Sequence, residues 1–135
     1  MIERGHGGIL NVASTAAFQP GPIMAVYYAT KAFVLSFTEA IAEELAGTGV
    51  TVTALCPGPT ATNFMEAANA PASRRFAKIA MSAQSVARIG HHAFRQGRVV
   101  SIPGVSNRML AFSVRLAPRF MVRKVTKKLN AAGHV

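Results

Sequence analysis

Tyr27 and Lys31 stand four residues apart in Val26-Tyr27-Tyr28-Ala29-Thr30-Lys31-Ala32-Phe33, and Ser14 lies thirteen residues ahead of the tyrosine, at the end of an apolar run. Helix positions i and i+4 share a face, so a phenol and an ammonium at this spacing can point into one site. A free phenol has a pKa of about 10, too high for easy proton exchange at neutral pH. A neighbouring cation stabilises the phenolate and lowers that value, toward the range useful for general acid–base work. A serine hydroxyl presented from a strand end can hydrogen-bond the same substrate oxygen. Tyr28 cannot replace Tyr27 in this scheme, because its i+4 partner is Ala32.

Elements able to position these groups follow from the pattern around them. Three short runs, residues 8–14, 50–56 and 98–102, read as strands, the outer two β-branched as buried parallel strands tend to be. A long helix is expected over 24–47, rich in Ala, Leu and Glu and closed by Gly47 and Gly49. A shorter one is expected over 83–96, capped by Ser82 and closed by Gly97. Strand, helix, strand, helix, strand is the order of a parallel α/β sheet. Three strands alone would leave two open edges. Pro57, Gly58, Thr60 and Thr62 form a loop after the second strand, at the end of the sheet where such folds place ligands. From about 106 to 129 runs a helical pattern interrupted by Pro118, apolar on one side and basic on the other. The chain therefore divides into an α/β part, 1–105, and a basic amphipathic tail, 106–135.

This set of residues resembles the short-chain dehydrogenases/reductases. Gly8-Ile9-Leu10-Asn11-Val12-Ala13-Ser14 is similar to that family's strand ending in a catalytic serine. Tyr27 to Lys31 resembles its active-site helix, and Cys56-Pro57-Gly58-Pro59-Thr60-Ala61-Thr62 its Pro-Gly segment. The resemblance implies a Rossmann-like parallel sheet and hydride transfer between NAD or NADP and a small carbonyl or secondary-alcohol substrate. It implies that Tyr27 carries the proton, that Lys31 holds the nicotinamide ribose as well as tuning Tyr27, and that Ser14 polarises the carbonyl. It places Pro57, Gly58, Thr60 and Thr62 against the cofactor, and a homo-oligomer as the assembly of a full-length enzyme. Residues 63–82 take the position of the family's substrate loop, with Arg74, Arg75 and Lys78 as its cations.

The resemblance covers only the family's second half. A full enzyme runs to about 250 residues in one domain, and this chain has 135. Gly5-His6-Gly7-Gly8 precedes a strand, whereas the pyrophosphate-binding glycines of a dinucleotide fold follow one. It reads as a turn. An internal methionine of a longer enzyme, or the start of a truncated product, is the expectation for Met1. The alternative is a non-catalytic dehydrogenase remnant acting as a basic binding module for an anionic membrane or a partner protein.

Half of the residues are hydrophobic, enough to build a core, and the one cysteine, Cys56, excludes an internal disulfide and suits a reducing compartment. No signal peptide is visible at the N-terminus and no apolar run is long enough to span a bilayer. A cytoplasmic location, with peripheral membrane contact through the tail, is the expectation. All five acidic residues fall in the first 66 positions, and thirteen of the fifteen Lys and Arg come after them. The net charge of +10 thus belongs to the second half, which favours an anionic partner there. Nothing resembles a helix-turn-helix or a base-stacking platform, so nucleic acid is not expected. His91 and His92 are adjacent on a helix and point apart, without the company a metal site needs.

Overall fold

Val50-Thr51-Val52-Thr53-Ala54-Leu55 opens with four β-branched residues, and it is buried at every position except Thr51. It forms the middle strand of the sheet in the computed structural model, which describes residues 1–63 and 79–131. The elements in chain order are β1 (Gly7–Val12), α1 (Ala25–Glu44), β2 (Val50–Leu55), β3 (Thr60–Ala61), β4 (Met81–Ser82), α2 (Ala83–Arg95), β5 (Val100–Ser101), α3 (Val105–Leu116) and α4 (Arg119–Ala131). Among the described residues β1, β2 and β5 make one parallel sheet in the order β1-β2-β5, with Gly7 opposite Val50 and Val12 opposite Leu55. The α/β parallel sheet and its two connecting helices agree with the expectation from sequence.

Successive strand residues point to opposite faces, and the two faces carry different helices. Ala54 and Cys56 form a buried cluster with Ala13 of the loop after β1 and Leu35 of α1, and Phe18, Val34 and Ile102 pack on it. Leu55 faces the other way, where a Cβ at Gly90 of α2 would come within 2.6 Å of its Cδ2. Thr38 is fully buried on α1; its hydroxyl donates to the Val34 carbonyl at 2.6 Å and accepts from Asn11 Nδ2 at 3.0 Å, tying α1 to β1. Unlike β2, β1 is only half-buried along its length, as an edge with a neighbour on one side must be.

Several boundaries differ from expectation for identifiable reasons. The first strand stops pairing at Val12 instead of 14, because Ser14 caps a 3-10 turn over Thr15–Phe18. The long helix ends at Glu44, where the Ala46 and Thr48 amides turn back to Glu43 and Leu45 in tighter bonds. Gly47 and Gly49 follow with φ of 79° and 78°, and a Cβ at Gly49 would strike the Gly5 carbonyl. The shorter helix stops one residue early, at Arg95. The third strand shrinks to two residues: the Arg98 amide is still bonded to Ala93 of α2, and Pro103 has no N–H to pair. The tail is two helices, with Pro118 between them accepting from the Met121 and Val122 amides. A two-residue parallel ladder, β3 with β4, was not expected; the Met81 amide bonds Pro59 across it.

Candidate functional site

The parallel register brings the carboxyl ends of β1 and β2 together. Past the last paired residues the Ala13 amide still bonds Leu55 at 2.8 Å, and the Thr15 amide bonds Pro57 at 2.9 Å. Ser14 is thereby fixed beside the Pro57 loop. Its Oγ accepts from the Ala16 amide at 3.1 Å, which forms the cap, and donates to the Pro57 carbonyl at 3.4 Å. That second bond is long for O–H···O, so the proton is readily redirected to another acceptor.

Lys31, one helical turn after Tyr27, folds back onto the end of β1. Its ammonium donates to the Val12 carbonyl at 3.0 Å and lies 5.9 Å from the centre of the Tyr27 ring. An ammonium has three donors, and this anchor uses one. The Val12 carbonyl had no signal in the sequence, since a strand's last carbonyl carries no side-chain identity. Lys31 is thus tied to the end of β1, two residues before Ser14, which is itself held by the Pro57 loop.

Tyr28 is set apart from Tyr27. The two rings meet edge to face with centres 6.0 Å apart, but the Tyr28 hydroxyl donates to Asn130 Oδ1 at 3.1 Å, and burial pushes its phenol above the ordinary value of 10. Asn130 Nδ2 in turn donates to the Pro22 carbonyl at 2.8 Å. One buried tail residue therefore clamps both the start of α1 and the turn before it. That turn, Gly21-Pro22-Ile23-Met24, closes with a Met24 amide to Gly21 carbonyl bond of 3.1 Å and holds Ile23 at φ 78°. Proline second and positive φ third is the type II pattern, which ordinarily takes glycine where Ile23 sits. Gly21 is needed for another reason: a Cβ there would collide with the Tyr28 ring.

In the loop after β2, the Thr60 hydroxyl donates to the Gly58 carbonyl at 2.9 Å, and Thr62 is exposed just beyond β3. A Cβ on Gly58 would sit 2.5 Å from Asn107 Nδ2, which itself donates to Pro103 at 2.7 Å. The bare backbone of Gly58 therefore makes room for α3. Cys56 is fully buried and its thiol is pushed up to about 12, chiefly by burial. Gly8, the second residue of β1, packs under the Phe94 ring, where a Cβ would come within 2.5 Å. Arg74, Arg75 and Lys78 lie outside the described residues. His92 bonds Gln96 at 2.8 Å, and no cluster able to hold a metal occurs among the described residues.

These residues offer a nicotinamide cofactor a partial fit. Lys31 has spare donors, and Ser14, Tyr27 and the Pro57 loop gather at the ligand-binding end of the sheet. Among the described residues nothing offers a glycine-lined helix N-terminus for a pyrophosphate, because the glycines before β1 are occupied with turns and with Phe94.

Residues 1–73 match the family model described as short chain dehydrogenase. A 3-oxoacyl-[acyl-carrier-protein] reductase of Synechocystis sp. is 40% identical over 84 residues, covering 62% of this chain and 34% of that protein. Among solved structures, a short-chain dehydrogenase from Sphingobium yanoikuyae in complex with NADPH is 27% identical with a TM-score of 0.71, covering 85% of this chain and 45% of that one. A 7β-hydroxysteroid dehydrogenase is 27% identical with a TM-score of 0.74, covering 92% and 49%. The likeness of fold thus extends past residue 73 into the second half. The chain spans about a third of the Synechocystis reductase and under half of either solved enzyme.

Proposed function

The chain belongs to the short-chain dehydrogenase family, and we propose that it carries the proton-transfer half of an NAD(P)-dependent oxidoreductase acting on a carbonyl or secondary alcohol. The observation that carries this reading is the anchoring of Lys31 on the Val12 carbonyl beside the Tyr27 ring, next to Ser14.

In the reductive direction the hydride for the carbonyl carbon would come from a nicotinamide when one is bound. The Ser14 hydroxyl turns from the Pro57 carbonyl to the substrate oxygen and polarises it. Tyr27 gives its phenolic proton to that oxygen, and the fixed Lys31 ammonium stabilises the phenolate left behind. The two remaining Lys31 donors would hold a ribose hydroxyl, and Pro57, Gly58, Thr60 and Thr62 would form the cofactor side of the cleft. Oxidation of an alcohol runs the same proton path backwards. The pyrophosphate cradle is supplied by another stretch of polypeptide, consistent with the share of its relatives that the chain covers. The outward stripe of α1, with Val26, Phe33 and Phe37 exposed, supports a second copy as partner in the assembled enzyme.

The test is a fusion of the amino-terminal half of the Synechocystis reductase to Met1, assayed for NADPH oxidation with ketones and 3-oxoacyl thioesters. Turnover above that of either half alone supports the proposal. A fusion that binds NADPH but turns over none of them speaks against it.

A second reading, contact with an anionic membrane, is supported by α3. Val105, Met109, Phe112 and Leu116 are exposed on one stripe, opposite the body-facing Asn107, Ala111 and Val114. No helix among the described residues is long and apolar enough to cross a bilayer, so any contact would be superficial. Sedimentation with anionic vesicles, lost in Phe112→Ser/Leu116→Ser, tests it. Equal sedimentation of that variant and the parent would count against the reading.

A further inference from the structure

The flank of α1 turned away from Tyr27 and Lys31 borders an open groove of about 550 Å³. The segment ahead of α1 contributes Phe18 and Pro22, α1 contributes Ala29 and Ala32, and α4 contributes Arg119 and Arg123. Its volume is in the range of roughly 300–1,000 Å³ usual for small-molecule sites. Apart from Gln19, Tyr28 and the two arginines its walls are small or apolar, which suits an alkyl chain better than a sugar or a nucleotide. No lining residue is acidic, so nothing in the groove wall neutralises the two arginines. Arg119 and Arg123, four residues apart in the first turns of α4, share one flank of the helix. The positive end of the helix reinforces them, and guanidinium groups match a planar oxyanion in geometry. Asn130 holds α4 against the turn and α1, so the wall bearing the arginines is fixed in place.

We propose that this groove binds a fatty carboxylate, with the alkyl chain along Phe18, Pro22 and the α1 alanines and the carboxylate between Arg119 and Arg123. Nothing in the proposal depends on hydride transfer, since the groove and the Tyr27 site use different faces of α1.

The 135-residue chain has two tyrosines and no tryptophan, and Tyr28 lines the groove. Tyrosine fluorescence and calorimetry therefore both report binding. The probes are decanoate below its micelle concentration, decanol and inorganic phosphate. Decanoate should bind roughly tenfold or more tightly than decanol, the loss expected when charge-assisted hydrogen bonds are missing, and phosphate alone should bind more weakly still. Arg119→Gln/Arg123→Gln should weaken decanoate by a similar factor, and Ala29→Trp should fill the groove and abolish binding. Lys124→Gln/Lys128→Gln, on the outward face of α4, should leave it within about twofold, a difference too small to reflect a lost charged bond. Circular dichroism of each variant checks that the helices persist. Equal affinity for decanoate and decanol, equal affinity for phosphate, or equal loss in the lysine and arginine variants would overturn the assignment. So would decanoate binding unchanged by Ala29→Trp.

Discussion

Asn130→Ala is expected to loosen the whole entrance to α1, although the residue lies 108 positions from Pro22. Its side chain is 7% exposed and makes two bonds, one to the Pro22 carbonyl at 2.8 Å and one from the Tyr28 hydroxyl at 3.1 Å. At about 1 kcal/mol net for each bond, with a further fraction for the half-buried carbonyl left without a donor, the loss comes to about 2–3 kcal/mol. Gln19 lies near enough to interact with the Tyr28 hydroxyl, which keeps the cost toward the lower end. Urea unfolding followed by tyrosine fluorescence reads the clamp itself, because Tyr27 and Tyr28 are the only tyrosines and no tryptophan competes. With a slope of about 1.5 kcal/mol/M the midpoint should fall by about 1.5 M. Tyr28→Phe alone should cost about 1 kcal/mol, and the double variant should show a coupling of similar size. A loss under about 0.5 kcal/mol for Asn130→Ala, no more than an ordinary surface substitution, would show that the two bonds do not hold the tail in place.

Further outcomes follow from other parts of the site. Ile23→Gly should stabilise the chain by about 0.5–1 kcal/mol, since relief of a left-handed residue outweighs the entropy of glycine; unchanged or reduced stability in urea would contradict the turn. Cys56 should resist Ellman's reagent at pH 8 until the chain is unfolded, because a thiol pushed up to about 12 remains protonated there; rapid labelling of the folded chain would contradict its burial. Because the Tyr28 phenol is raised on folding, the neutral form is favoured in the folded state. Its contribution to stability should be complete below about pH 10 and lost as pH rises through the folded value, visible as a steeper alkaline loss than in Tyr28→Phe. The chain by itself should bind NADH and NADPH weakly or not at all in a calorimetric titration, and low-micromolar affinity would contradict the partial fit described above.

What could be read from the sequence was what local pattern encodes. β2 is rich in β-branched residues and α1 is rich in Ala, Leu and Glu with glycine stops behind it, so both were legible to within a few residues. Ser14, Tyr27 and Lys31 were legible as candidates because i+4 spacing and the end of a strand are local facts. The rest depends on pairings distant in sequence. Asn130 gives no hint that its amide reaches Pro22 and Tyr28, and the Val12 carbonyl that anchors Lys31 is invisible in any residue code. Gly58 read as a place of close approach to the backbone, and nothing local showed that the Asn107 side chain of α3 also packs against it. The two-residue strands β3 and β4 are too short to leave a periodic trace, and their pairing joins residues 21 positions apart. Ile23 runs against the expectation that glycine takes a left-handed turn position, so the turn before α1 could not be drawn from propensity.

The central claim is that the Tyr27 oxygen carries the proton, and Tyr27→Phe tests it most directly because the ring's packing against Tyr28 is kept while the hydroxyl is lost. In the fusion that supplies a dinucleotide-binding half, kcat and the dissociation constant of NADPH would be measured for parent and variant side by side. The account predicts a fall in kcat of about 10²–10⁴-fold, the usual share of general acid–base catalysis, with NADPH affinity almost unchanged. Retention of more than about a tenth of the parent kcat would contradict it, since that is less than such a proton carrier contributes.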